Sequence, residues 1–493
     1  MTRTLYRNGV VHSASGRPTC VAVEDDRIVF SGSEDDAAAF DGAGDGSGEV
    51  VDLRGALITP GFVDAHVHTV RTGFALTGLD LAGVPTLATL LDDLHAFAEK
   101  APDLGVVVGQ GWDETGWPEG RPPTAEELER AAPARRCYLT RVDGHSSVVS
   151  PALAALVPGL EALDGWTPDG RVERDAHHAV RAVLEGLIGP DERLQAAHAA
   201  CRAMAAWGIT AFHENAAPHI GPEHEIAMVR QAAEETGLRA TVYWGELLAV
   251  ETAQRLGVAG LAGDLVADGA FGSRTAALSA PYADRPDTCG HAYVTREQVR
   301  DHVVACTRAG LQAGFHCIGD AALENIREGF EAAARELGDE PVRRAGHRLE
   351  HVEMPSPAMI ETMSRLRILA SVQPMFDALW GGADGMYAER LGDRWRDTNP
   401  FRAFADAGIT LAFGSDSPVT PLGPWAAIRA AVHHHAEEHR LDPATAFAAH
   451  TAGARLSTGA CADLAVWDDA PELPVLLRTV AAGRTIHLNE DAA

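Results

Sequence analysis

The sequence predicts an α/β fold: a distorted (β/α)8 barrel, with a small β-sandwich domain formed by both chain termini and an insertion after the first barrel strand. Three observations predict it. Eight short apolar segments alternate with stretches of helical period, both ends of the chain read as strands and turns, and one long stretch breaks the alternation.

In chain order, residues 1–59 hold TLYRNGVVH, CVAVEDDRIVFSG and EVVDLRGALI, β-rich runs joined by turns and by the Gly/Asp-rich connector DGAGDGSGE. The same pattern returns over residues 455–493 in CADLAVWDD, LLRTVAAG and RTIHLN, so these two ends are expected to form one sandwich. Residues 60–454 are the expected barrel, with strands ITPGFVDAHVH, GITAFHE, ATVYWGE, GDLVADG, LQAGFHCIGD, GHRLEHVEM, ILASVQP and ITLAFGSDSP. Helices such as REQVRDHVVACTRAG and PAMIETMSRLR lie between several of them. Residues 81–200 carry helices (TLATLLDDLHAFAEK, AEELERAA), a strand pair (GVVVGQGWDE, RRCYLTRVDGHS) and the turns EGRPPT and GWTPDGR. They are the expected insertion, over the mouth of the barrel.

Composition narrows the function classes. With 46% hydrophobic and 23% charged residues among 493, the chain is a soluble globular protein with ample core. A formal charge of −29 argues against nucleic acid and anionic membranes as partners, because both are polyanions. The opening MTRTLYRNGVVHSASG lacks an apolar core of signal-peptide length, and no later run would span a bilayer, so a cytoplasmic location is expected. Seven cysteines, never spaced as CxxC, are expected to be reduced thiols. The expected partner is a small-molecule substrate, and a homodimer is the assembly expected if the chain self-associates.

The chemistry begins at ITPGFVDAHVHTV, residues Ile58 to Val70. A strand alternates its faces, so His66 and His68 point the same way at its C-terminal end. Two such imidazoles can share a divalent ion at ~2.0–2.1 Å, or be half-buried histidines with ordinary hydrogen bonds; the pair alone leaves both readings open. Later strands add His316 in LQAGFHCIGD, His351 in RLEHVEM and Asp416 in ITLAFGSDSP. In a (β/α)8 barrel these ends share one rim, and nitrogen ligands with a carboxylate suit zinc or a similar first-row ion.

HVH on strand one, single histidines on strands five and six and an aspartate on strand eight resemble the metal-dependent amidohydrolase superfamily. GWDETGW, RVDGHSSVVS, ADGAFGSRTAALSAPYAD, FHCIGDAAL, RLEHVEM, SVQPMF and FGSDSPV resemble its amidohydrolase-3 branch, which includes N-substituted formamide deformylases. The resemblance implies a barrel with a sandwich from both termini and a divalent metal held by His66, His68, His316, His351 and Asp416. It further implies that Trp112, Asp113 and the RVDGHSS residues Asp143 and His145 line the pocket. For RVDGHSS a capped turn is the competing reading, for Trp112 a core position, and for Arg274 a structural ion pair rather than a polar substrate group.

One departure matters. Where this branch carries a strand-four lysine that is carboxylated to bridge two metals, this chain has Asp264, and its one lysine, Lys100, lies in a helix of the insertion. Aspartate is several bonds shorter than carboxylysine, so one ion is favoured over two. If strand four runs through GDLVADG, alternation puts Asp264, Val266 and Asp268 on one face, as second-metal ligands or supports, with Asp268 closest to the mouth. His213 and Glu214 end strand two near the mouth, and His433 to His435 are expected on a solvated helix face.

The expected reaction is hydrolysis of a non-peptide C–N bond, an amide or an N-substituted formamide, by hydroxide generated on the metal. Asp416 shuttles the proton to the leaving nitrogen, and His351 or His145 stabilises the oxyanion. Ester or lactone hydrolysis by the same site and a non-catalytic binding homologue are the alternatives. Aminohydrolases of purines or pyrimidines fit less well, because those relatives carry His-x-x-Glu after strand five, whereas here His316 is followed by Cys-Ile-Gly-Asp320.

Overall fold

The computed structural model describes residues 3–12, 17–41, 48–102, 104–141, 146–468 and 473–489. The chain divides into two compact units, one drawn from the segment up to Thr69 together with Cys201 onward, the other spanning Val70–Ala200.

The first unit is built on an eight-stranded parallel sheet. Its strands are β1 (Phe62–Val67), β2 (Ile209–Ala216), β3 (Arg239–Trp244), β4 (Gly260–Leu261), β5 (Gln312–Cys317), β6 (Arg348–His351), β7 (Leu369–Val372) and β8 (Leu411–Phe413). Each pairs with its neighbours in sequence, from β1 through to β8, the order that βα repeats with same-handed crossovers produce. Closure between β8 and β1 falls to a few polar contacts. The Asp416 amide donates to His66 O at 2.7 Å and the His68 amide to Ser417 O at 3.0 Å. Buried Asp64 accepts from the amides of Ser415 (2.9 Å) and His66 (3.2 Å), tying the two strands together just below the rim.

Helices between the strands carry local stop and start signals. Helix α1 (Arg296–Ala309) opens with a Thr295/Gln298 capping box and ends at Gly310, whose φ of 69° favours glycine. It packs on α2 (Asp320–Leu337), and α3 (Pro357–Leu366) follows β6 with Pro357 at its first turn. Further on lie α4 (Pro374–Trp380), α5 (Pro424–Val432) and α6 (Pro443–His450).

Two antiparallel-rich sheets complete this unit. One orders strands 27–32, 20–24, 3–7 and 49–52, the other 10–11, 57–60, 464–468, 475–481 and 484–488. Tyr6, Val21, Val23 and Ile28 from the first meet Val11, Ile58, Leu464, Val466 and Val480 from the second in one apolar core. The second unit has a five-stranded sheet ordered 171–173, 146–149, 137–141, 107–112 and 79–80, with helices Leu87–Lys100 and Ala125–Ala131. Among the described residues, no helix is long and apolar enough to cross a membrane.

Two local expectations fail. Strand four is Gly260–Leu261 rather than GDLVADG; the chain bends at Gly263 (φ 73°), and only an isolated bridge from Val266 to His316 follows. The face-sharing argument for Asp264, Val266 and Asp268 therefore lapses. The histidine triplet lies beyond the end of α5 at Val432, and His434 is fully buried, edge-on to Phe401 with its Nδ1 accepting from the Ala436 amide.

Three structural histidines contribute to the acid response of the fold. His302, His347 and His450 are buried, and burial holds each down at about 4. An unfolded histidine titrates near ~6.5, so between these values each of the three binds more protons when unfolded and adds stability as pH rises. Buried Asp64 and Asp268, pushed up to about 6, and Glu353, pushed up to about 7, act in the opposite sense over the same range. The histidines are therefore read one by one: in an NMR titration of the folded protein their rings should stay neutral from about pH 6.5 down to about pH 5, and rings that titrate near ~6.5 would contradict the neutral, buried assignment.

Candidate metal centre

His66 is the penultimate residue of β1 and His68 lies just past its end, and both rings turn their Nε2 atoms toward the same place. Asp416, just past β8, brings Oδ1 to 3.3 Å from His66 Nε2 and 3.1 Å from His68 Nε2. Asp264, carried inward by the bend at Gly263, brings Oδ1 to 3.4 Å from His66 Nε2 and Oδ2 to 3.3 Å from His68 Nε2. His351 groups with His66 and Asp264, and His316 faces Asp264 at 3.9 Å through Nδ1. The rings of His316 and His351 stand 4.5 Å apart.

Backbone strain concentrates at two of these positions. His351 (φ 67°), Val352 (φ 47°) and Asp416 (φ 56°) adopt left-handed conformations that side-chain-bearing residues avoid, at a cost of order 1–3 kcal/mol each. The surroundings hold them there: the Val352 amide donates to Cys317 O and Glu350 O, both at 2.9 Å, and the Asp416 amide to His66 O.

The electrostatics call for a cation. Burial alone would lower the basicity of His66, but Asp416, Asp264 and Glu350 outweigh it and hold the imidazole well above its ordinary value. His68 is likewise pushed up to about 9 against its burial, by Asp264 and Asp416. In return, the imidazoles hold the Asp264 and Asp416 carboxyls well below the usual range despite burial. Positive charge in the middle of the cluster is what stabilises all four groups.

A divalent ion fits that requirement and the geometry. Among the described residues, His66 Nε2 and Asp264 Oδ1 are buried with no hydrogen-bond partner, although unpaired buried polar atoms are costly. Ligands ~2.0–2.1 Å from a tetrahedral ion stand ~3.3–3.4 Å from one another. The four nitrogen–oxygen separations among His66, His68, Asp264 and Asp416 span 3.1–3.4 Å. Nitrogen and carboxylate donors in this mix suit zinc or a similar first-row ion.

Other residues expected at the site have partners of their own. Asp268 is fully buried and its carboxylate accepts from the amides of Ala277 (2.8 Å), Ile318 (2.9 Å) and Gly319 (2.8 Å), so it braces loops rather than facing an ion. Trp112 is a core residue of the second unit, its Nε1 donating to Leu139 O at 3.0 Å, not a pocket wall. Asp113 is exposed and pairs with Arg141 at 2.9 Å. Arg274 is engaged by Asp284, which Arg390 also grips, so the structural ion pair replaces a substrate contact. Asp143 and His145 lie outside the described residues. His351 Nδ1 donates to Gln373 Oε1 at 2.7 Å, and burial, with His316 adding to it, holds the ring neutral at about 4. Its Nε2 therefore offers a lone pair, suited to a metal and not to an oxyanion.

Three residues beneath the cluster escaped the sequence reading. His66 Nδ1 donates to Glu350 Oε2 at 2.9 Å, Glu350 is paired with buried Arg348, and Gln373 supports His351. Arg-x-Glu on one strand face was the available signal for the first two.

Comparison with known proteins gives a family and a fold. A family model described as the Amidohydrolase family matches residues 49–487. Protein LONG AFTER FAR-RED 3 of Arabidopsis thaliana is 26% identical over 463 residues, covering 87% of this chain and 77% of that protein. The N-substituted formamide deformylase of Arthrobacter pascens is 24% identical over 477 residues, covering 85% of this chain and 82% of the enzyme. Among solved structures, an uncharacterized metal-dependent hydrolase from Pyrococcus furiosus has the same fold, with a TM-score of 0.78 at 23% identity, covering 95% of this chain and 99% of that one.

Asp268 provides a test of ligand against brace. Asp268→Ala strands three buried amides and should lower stability by about 2–4 kcal/mol, read by urea unfolding, while the folded protein keeps its metal content. Lost metal at unchanged stability would make Asp268 a ligand instead.

Proposed function

The chain belongs to the amidohydrolase family, and on that premise we propose that it is a metal-dependent hydrolase of a non-peptide C–N bond, with amides and N-substituted formamides as its substrate class. The observation that carries the proposal is that His66 Nε2 and His68 Nε2 each lie 3.1–3.4 Å from a carboxylate oxygen of both Asp264 and Asp416. His66, His68 and Asp416 would hold one divalent ion, with Asp264 in the place that the family's carboxylated lysine fills, and His316 and His351 facing Asp264 from the other side. Similarity to the formamide deformylase over most of both chains supports the formamide end of the substrate class.

When bound, a zinc-type ion supplies hydroxide from water at neutral pH and polarises a carbonyl oxygen. The chain's own groups manage the proton. Asp416 is buried but for 6% of its surface, and its carboxyl stays ionised. It accepts the proton of the attacking water and returns it to the departing nitrogen, since an amine leaves poorly as an anion. His351, neutral and anchored by Gln373, binds and orients through Nε2. The products are a carboxylic acid, or formate, and an amine. The same arrangement can open an ester or lactone, whose better leaving group needs the returned proton less.

Two variants test the assignment. Asp416→Asn should fold normally and cut turnover of N-substituted formamides or N-acyl amines by ~10²–10⁴; unchanged turnover would remove it from proton transfer. Asp264→Ala should lower the metal bound per chain by elemental analysis, and full occupancy would show that Asp264 only neighbours the ion.

A further inference from the structure

Below the imidazole cluster, inside the barrel, lies a buried ion pair that the reaction itself does not use. Arg348 and Glu350 alternate on one face of β6 and have almost no exposed side-chain surface. The guanidinium makes four hydrogen bonds: Nε donates to Glu350 Oε1 at 2.6 Å, and Nη2 to Glu350 Oε2 at 2.9 Å and to Ala65 O at 2.7 Å. Nη1 donates to His213 Nδ1 at 2.7 Å, and the group stacks 4.4 Å over the Tyr243 ring. Tyr243 is held in turn by Gln312, its hydroxyl donating to Oε1 at 2.7 Å.

We propose that Arg348 and Glu350 are positioning residues that set the metal affinity of the site by fixing the tautomer and orientation of His66; this rests on the metal-dependent reading above. Glu350 Oε2 accepts a hydrogen bond from His66 Nδ1–H, which leaves Nε2 with its lone pair turned toward Asp264 and Asp416. Arg348 grips both ends of that arrangement, the carboxylate through Glu350 and the β1 backbone through Ala65 O, one residue before His66.

The charges explain why both residues are needed. A divalent cation is balanced by Asp264 and Asp416 alone, and a further carboxylate facing the cluster would leave it with excess negative charge. Arg348 neutralises Glu350 locally, so Glu350 can accept from His66 without disturbing that balance. The other imidazoles have less: His351 Nδ1 meets the neutral amide of Gln373, and His68 Nδ1 has no hydrogen-bond partner among the described residues. A carboxylate accepting from a ligating imidazole raises its donor strength, and loss of such a partner commonly weakens binding 10–100-fold. For stability alone a buried ion pair is a poor device, since a well-packed apolar pair of like volume often does as well.

The test uses Zn2+ affinity of the full chain, measured by competition with a chromophoric chelator, together with the absorption spectrum of the Co2+-loaded protein. Glu350→Gln should weaken Zn2+ binding about 10–100-fold and alter the Co2+ bands. Because that variant leaves Arg348 buried and unpaired, the double variant R348M/E350Q, which removes both charges and keeps an acceptor for His66, is measured beside it. It should fold by circular dichroism and still bind Zn2+ at least several-fold more weakly than the parent chain. Parent-like affinity and Co2+ bands in the folded double variant would overturn the proposal and leave the pair a packing element. A parent chain that binds neither ion would instead defeat the metal-dependent reading itself.

Discussion

Two carboxylates that must stay ionised out of water govern this structure. Asp264 and Asp416 share a largely buried space with His66 and His68, and desolvated anions persist only beside positive charge. Protons on the imidazoles meet that demand in one state, and a divalent ion meets it in the other. Metal binding and proton release are therefore two sides of one equilibrium in this pocket.

The barrel serves that constraint through its seam. Ladder pairing runs unbroken from β1 to β8, but the join between β8 and β1 consists of Asp64 and a few backbone bonds, and His66, His68 and Asp416 flank that join. The donors thus come from opposite edges of one sheet that meet only if the barrel closes. Left-handed backbone at His351 and Asp416 turns both side chains in after their strands have ended, a local strain that the packed seam can hold. Beneath, Arg348 links β6 to the β1 backbone at Ala65, so the floor of the site and its closure share one guanidinium.

Much of this was legible in the sequence, for identifiable reasons. Alternation of faces placed His66 and His68 together, and the rule that barrel function gathers at strand ends placed His316, His351 and Asp416 with them. Asp264 was named as a possible ligand or support, but its route to the cluster was hidden, because strand four stops at Leu261 and the chain bends at Gly263, a turn that no local pattern of hydrophobicity announces. Asp268 was read as closest to the mouth, yet amides from residues 277, 318 and 319, far along the chain, capture it. Trp112 and Arg274 show a similar limit: the residue type fits a pocket or a core, a substrate or an ion pair, and only long-range contacts with Leu139 and Asp284 decide. The end of α5 before His433 was hidden as well, since what draws His434 inward is its packing on Phe401.

The central claim is that one cation binds among His66, His68 and Asp416, with Asp264 beside it. Anomalous diffraction at the zinc edge, from crystals of protein purified without chelator, tests it most directly. The account predicts a single strong peak ~2.0–2.2 Å from His66 Nε2, His68 Nε2 and an Asp416 oxygen. A cluster that stays without a peak after soaking in zinc, its imidazoles bonded directly to the carboxylates, would contradict it.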